Sequence, residues 1–192
     1  MKKVFFIILF FVVANSFAQY PILIDTILKP GIYKTFEEFR NNNPSIQLSG
    51  EIKSKIFKYN SNGSFENLNT YYVDVDKKDA NVIGKVFGFS DGKNIFISPL
   101  YSSKVNDYEF YILEFINLYS YYCSIESSQV GSIYMEVKVQ NVLDIKSGDV
   151  LKLTNSTVKD IISTDKQLLE KFKNQKSKYL YYKQYLLDFL KK

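Results

Sequence analysis

The spacing of apolar side chains changes period once along this chain, and that change sets the class of fold. Between Gln47 and Leu153 apolar and polar residues alternate at a period of two, as strands do. Beyond Leu153 the apolar residues recur at three and four, as on one face of a helix. Strands first and helices last describe an α+β protein with an antiparallel sheet. Parallel strands would need helices between them, and the middle of the chain reads as strands and turns. The expected fold is therefore a strongly twisted or barrel-like antiparallel sheet. A short N-terminal helix and C-terminal helices pack against one face or end of it.

Local signals give the boundaries. Residues 19–28 read as a first strand or extended arm, ended by the turn Lys29-Pro30-Gly31. A short helix near 35–42 follows, with Thr35 as its cap and Glu38 completing a capping box. Asn41-Asn42-Asn43-Pro44 stops it, since a residue before proline avoids the α region. Strands are expected over 52–59, 70–75, 82–89, 94–98 and 131–139, with two more in 108–125 that break near Asn117. Ser90-Asp91-Gly92-Lys93 between two apolar runs predicts a hairpin with a type I′ turn, both central residues at positive φ. Lys146-Ser147-Gly148-Asp149 predicts a second one.

Three helical segments follow, with caps at Asn155 or Ser156, at Asp165 and at Ser177. In the last, Tyr179, Tyr182, Leu186 and Leu190 share a face. The expected organisation is one α+β domain over 19–192, mainly strands over 19–153 and helical over 154–192.

Residues 1–18 have the three regions of a secretory signal. Lys2 and Lys3 form a basic start, Val4 to Val13 an unbroken apolar run of ten, and Ser16-Phe17-Ala18 a small-residue cleavage site. A membrane-spanning helix needs roughly 20 apolar residues, so the run reads as a cleaved leader. The leader predicts a periplasmic or extracellular location, with Gln19 as the new N-terminus and no transmembrane span after cleavage.

Charge is unevenly placed. The chain is +5 overall. Eight lysines against Glu170 and Asp188 give residues 166–192 a net +6. With Lys2 and Lys3 in the leader, residues 19–165 carry −3. The basic tail suits a solvated helix face or an anionic surface. Nucleic acid is not the expected partner of an exported chain that lacks a basic-aromatic reading motif.

The composition withholds common catalytic equipment. The sequence has no His and no Trp, and Cys123 is the lone cysteine. That removes imidazole general bases, Ser-His and Cys-His nucleophiles and most zinc sites. Cys123 lies in an apolar-aromatic stretch and reads as a buried structural thiol.

Three groupings remain as candidates. Asp74, Asp76 and Asp79 offer oxygens to a cation such as calcium, or form a solvated strand end with Lys77 and Lys78 between them. Glu109, Glu114 and Glu136 lie within apolar strands, where a carboxylate pair across a cleft would suit glycoside hydrolysis. The aromatic run Tyr101–Tyr122 holds Tyr108, Tyr111, Tyr119 and Tyr121, as sheet core or as the lining of a ligand pocket. No residue is assigned a catalytic role, and no cofactor is expected.

Three segments carry a resemblance. GIYKTFEEFRNNNPS (31–45), GFSDGKNIFI (88–97) and VLDIKSGDVL (142–151) resemble a family of uncharacterised exported bacterial proteins, with a domain of unknown function. Those proteins share a G-I-Y-x-T-F-E-x-F opening, a G-F-x-D-G-x-N-I-Y-I hairpin and a V-L-D-x-x-x-G hairpin before C-terminal helices. The resemblance implies export and one coherent domain, and it brings no reaction, since the shared motifs are a helix cap and two turns.

Together these readings lead to a secreted or periplasmic, non-enzymatic domain that binds or scaffolds at the cell envelope. Its partner would be an envelope protein, a glycan or a lipid surface. The alternatives are a small-ligand carrier with an aromatic pocket, peripheral membrane association through the C-terminal helix, and, last, a carboxylate-based hydrolase.

Overall fold

A computed structural model of the chain describes residues 20–24, 27–61, 64–98, 103–130 and 133–191. The expected leader lies outside them. The described chain opens with one helical turn, α1 (Pro21–Ile24), then β1 (Gly31–Tyr33) and α2 (Phe36–Arg40). A long hairpin follows, β2 (Glu51–Ser61) with β3 (Ser64–Asp74). Helix α3 (Lys77–Ile83) leads into the short strands β4 (Gly88–Ser90), β5 (Ile95–Ile97) and β6 (Tyr111–Ile112). A second long hairpin, β7 (Tyr119–Val130) with β8 (Ile133–Asp144), runs on into β9 (Val150–Lys152). Helices α4 (Asn155–Ile161), α5 (Lys166–Asn174) and α6 (Tyr182–Leu190) close the chain, with a 3₁₀ turn at Lys178–Tyr181 before α6.

The fold is α+β, and the strand pairs described are antiparallel. The described strands do not close into a barrel. They form three open sheets: β1-β4-β5-β6, β2-β3 and β7-β8-β9. Closure fails because β1, β4, β5 and β6 are two or three residues long, too short for the continuous staggered ladder of a barrel.

Those short strands are the centre of the molecule. β1, β4 and β5 are buried along their whole length. Tyr33, Ile95, Ile97 and Tyr111 face a core shared with Tyr122 and Leu143 of the three-stranded sheet and with Phe39 of α2. Ile32, Phe89 and Phe96 face the opposite core, with Val73 of β3, Ala80 of α3 and Phe110. The far side of the three-stranded sheet presents Tyr121, Cys123 and Val142 to the C-terminal helices, through Val158, Ile161, Phe172 and Leu186. Those helices thus pack on one sheet face, as the sequence predicts.

Several local expectations change. Residues 21–24 form a helical turn rather than a strand, with Pro21 at its first position, where the missing N–H costs nothing. The middle of the chain does hold a helix, α3, which takes up residues 82–83 of the strand expected over 82–89, and the strand itself, β4, begins only at Gly88. Asp76 and Gly84 bracket it, and Gly84 at φ 72 donates its N–H to the Ala80 carbonyl. Val82, 81% exposed, lies on its outer side.

The β4–β5 hairpin forms, but Ser90 pairs with Ile95, leaving a four-residue loop. Only Gly92 is at positive φ there. The Asp91 carboxylate accepts the N–H groups of Lys93 (2.7 Å) and Asn94 (2.6 Å), which replaces the type I′ geometry with a side-chain-closed turn. Thr35 caps α2 as expected, accepting the Glu38 N–H at 3.2 Å. Glu38 reaches one residue further back than a capping box, accepting from Lys34 N–H at 2.6 Å.

Asn42 ends α2 and ties the N-terminal segment to it. Its φ of 48° places it in the left-handed region. The N–H groups of Asn42 and Asn43 reach back to the carbonyls of Phe39 and Glu38, the pattern of a Schellman stop. The fully buried side chain accepts from Lys29 N–H (3.0 Å) and donates to the Ile27 carbonyl (3.0 Å). It also lies 3.2 Å from the Tyr33 hydroxyl.

The three resemblance segments meet here: β1 and α2, the β4–β5 hairpin, and the β8–β9 turn. β1 pairs with β4, and Arg40 donates to the Lys146 carbonyl at 3.3 Å. Gly148 at φ 83 lies so close to the Phe36 ring that a Cβ there would come within 2.8 Å of it.

Replacing Asn42 with alanine removes these buried hydrogen bonds and leaves a β-carbon in the left-handed region. We expect a loss of about 3 kcal/mol in urea unfolding. Asn42→Gly keeps the backbone freedom and should lose about 1 kcal/mol less. Equal losses for the two variants would contradict the left-handed contribution.

Candidate functional site

The four candidate tyrosines occupy three different environments. Tyr111 is buried between the central and three-stranded sheets, 6.5 Å from the Tyr122 ring, and its hydroxyl accepts the Ile125 N–H at 3.3 Å. Tyr121 lies on the opposite face of the three-stranded sheet, under the helices. It stacks on Phe115 at 5.7 Å, donates to Gln140 Oε1 at 3.1 Å and lies 3.1 Å from Cys123 Sγ. Tyr119 is half-buried at the edge of that same helical core. Tyr108 is exposed on the outside of the β2–β3 hairpin, edge-on to Tyr72 at 4.5 Å, with Lys55 Nζ 4.6 Å from its ring centre. Tyr101 falls outside the described residues.

The acids are likewise dispersed. Asp74 pairs with Lys53 across the β2–β3 hairpin. Asp76 sits at the N-terminal boundary of α3 and Asp79 in its first turn. Among the described residues, no three His, Cys, Asp or Glu side chains gather where they could hold a metal ion. Glu109, Glu114 and Glu136 are exposed; Glu136 lies in β8, whereas Glu109 and Glu114 fall outside the strands, on either side of the two-residue β6, rather than within strands as the sequence reads. Glu109 accepts from Ser103 Oγ at 2.6 Å, and Glu114 pairs with Lys183 of α6. Burial opposes ionisation of Asp91, but the N–H donors of Asn94 and Lys93 outweigh it and hold this carboxyl below its ordinary range.

Cys123 is buried, and burial pushes its thiol up despite the neighbouring Tyr121 hydroxyl. An inert thiol follows, because the thiolate is the reactive form. Burial also raises Tyr33, to about 12. It raises Tyr59 and Tyr121 as well, helped at Tyr59 by the Glu66 carboxylate and at Tyr121 by Cys123.

The surface feature that stands out was read differently in the sequence. Tyr179, Leu180 and Tyr181 are 50%, 63% and 43% exposed, three large side chains in a row. The helical reading placed Tyr179 on the buried face of one long helix. Ser177 instead adopts φ 48°, and residues 178–181 wind as 3₁₀ before α6 begins at Tyr182. The buried face of α6 is then Tyr182, Tyr185 and Leu186, and the preceding turn projects outward.

This corner is fastened from below. Gln140 of β8 donates to the Tyr179 carbonyl at 2.8 Å. Lys178 Nζ donates to the Gln175 carbonyl at 2.7 Å. Ser177, read in the sequence as the cap of the last helix, makes no side-chain cap bond and instead turns the backbone through the left-handed region.

An open depression of about 510 Å³ lies elsewhere on the helical layer, lined by Thr164–Gln167 and Phe189. Among the described residues, no helix is long and apolar enough to cross a membrane. No protein-family model, curated protein or solved structure matches the chain.

The tyrosine shifts fix a pH dependence. A hydroxyl raised by folding contributes fully below its unfolded value near 10, and that contribution is lost as pH rises through the folded value. No histidine titrates between. Stability should therefore be level from about pH 6 to pH 8, begin to decline as pH passes the ordinary range of a thiol, since Cys123 is raised too, and fall steeply above about pH 10. Because the chain has no Trp, absorbance at 295 nm reports tyrosinate directly. Its last phase should coincide with loss of circular dichroism. Complete tyrosine ionisation near pH 10 with the fold intact would contradict the burial of these three hydroxyls.

Proposed function

We propose that this chain is an exported domain of the cell envelope that binds rather than catalyses, with the Tyr179–Leu180–Tyr181 corner as its contact surface. The corner carries the reading. Isolated exposed apolar residues are ordinary on protein surfaces, but adjacent ones on a fastened turn keep apolar area in water at a cost that binding would recover. Two sequence observations support the rest. Residues 1–18 have the basic, apolar and small-residue regions of a cleaved leader. The chain lacks His, its lone thiol is buried, and the candidate acids Glu109, Glu114 and Glu136 are exposed, Glu114 paired with Lys183. The resemblance of residues 31–45, 88–97 and 142–151 to exported bacterial proteins agrees with this reading.

Expression of the full chain in a bacterial host, followed by fractionation and N-terminal mass spectrometry, tests the export half. The expected product begins at Gln19 and is recovered with the envelope. A product that retains Met1 and stays in the cytosol would contradict it.

A further inference from the structure

Resting on the reading of the corner as a contact surface, we propose that it docks on the anionic headgroups of a membrane surface. Leu180 enters the interface, and Tyr179 and Tyr181 rest at headgroup level. Three observations converge on that occupant.

The first is composition. A tyrosine ring with a polar hydroxyl suits the boundary between hydrocarbon and water, and a leucine between two such rings suits shallow insertion. The second is rigidity. Gln140 holds the Tyr179 carbonyl, and the left-handed Ser177 sets the direction of the turn, so the three side chains are exposed before any partner arrives. Little ordering is then needed on docking.

The third is charge, and it selects an extended anionic plane over a small ligand. Residues 166–192 carry +6 and residues 19–165 carry −3, so the corner lies within the basic segment that forms α5, the 3₁₀ turn and α6. Lys176 is exposed beside the corner, and Lys171 is exposed on α5, its Nζ 6.0 Å from the Tyr185 ring. Lys183, which faces Tyr121, is paired with Glu114, so its charge is locally balanced. A negative plane would draw this segment toward itself.

The test uses the chain from residue 19 on, which contains every described core residue, Ile22 to Leu186. Co-sedimentation is measured with vesicles of phosphatidylcholine alone and with vesicles containing about a third phosphatidylglycerol. The expected result is binding to the anionic vesicles that is at least tenfold stronger and that falls as salt rises from about 0.05 M to 0.5 M. The triple variant Tyr179→Ser, Leu180→Ser, Tyr181→Ser should lose at least tenfold. Lys171→Glu with Lys176→Glu should lose a similar factor while leaving the apolar corner in place. These five side chains are exposed, and circular dichroism with urea unfolding checks that each variant remains folded.

Wild-type protein that ignores anionic vesicles, or folded variants that bind them as wild type does, would overturn the inference. If vesicle binding fails yet the triple variant still leaves the envelope fraction of cells, the lipid assignment is wrong and the contact surface stands. If the variant also keeps its place in the envelope fraction, the contact surface itself is wrong.

Discussion

The architecture depends on a small antiparallel sheet buried on both faces, held by aromatic rings packed across it. Phe89 of β4 stacks on Phe96 of β5 at 5.2 Å and meets Phe110 at 4.8 Å on one face. On the other, Phe87 meets Phe39 of α2 at 5.0 Å and Phe36 at 5.8 Å. Strands this short make few ladder hydrogen bonds, so side-chain packing must hold them. Gly88 makes the close pairing possible: a Cβ there would come within 2.3 Å of the Phe96 carbonyl oxygen. Every other layer is built outward from this sheet. The β2–β3 hairpin and α3 cover one face, and the three-stranded sheet covers the other and carries the C-terminal helices on its far side.

That layering explains why the four candidate tyrosines, Tyr108, Tyr111, Tyr119 and Tyr121, do not share one environment. Tyr111 and Tyr122 fill the space between two sheets, while Tyr121, one residue from Tyr122, points the opposite way into the helical core. Strand alternation separates neighbours that look like a cluster in one dimension. The exposed apolar side chains of the fastened turn between α5 and α6 lie where the layers end.

The parts legible in sequence were those governed by local chemistry. Thr35 and Asp165 cap helices because a side-chain oxygen answers an N–H three residues on, whatever lies around them. The hairpins at 90–95 and 143–150 follow from turn residues between apolar runs. The parts that were not legible depend on competing tertiary choices. Helix α3 buries only Ala80, so its face carries almost no apolar signal, and the Asp76 and Gly84 boundaries were its main marks. The α4 cap fell on Thr154, one residue before Asn155, as helix ends often drift. The corner at 178–181 was hidden because Tyr179 fits a helical stripe with Tyr182 and Leu186, and only the backbone turn at Ser177 breaks that stripe. The acids that the sequence offers as groupings lie on separate elements: Asp74 pairs with Lys53, Glu114 pairs with Lys183, and Glu109 accepts from Ser103.

Native-state hydrogen exchange tests the central claim most directly. If the two-faced sheet is what the other layers rest on, the amides of Phe89, Phe96 and Ile97 should exchange only through global unfolding, with protection equal to the full unfolding free energy. The helical layer of α4 to α6 should open at lower free energy. Protection that is highest in those helices, with the β4 and β5 amides released first, would contradict the account.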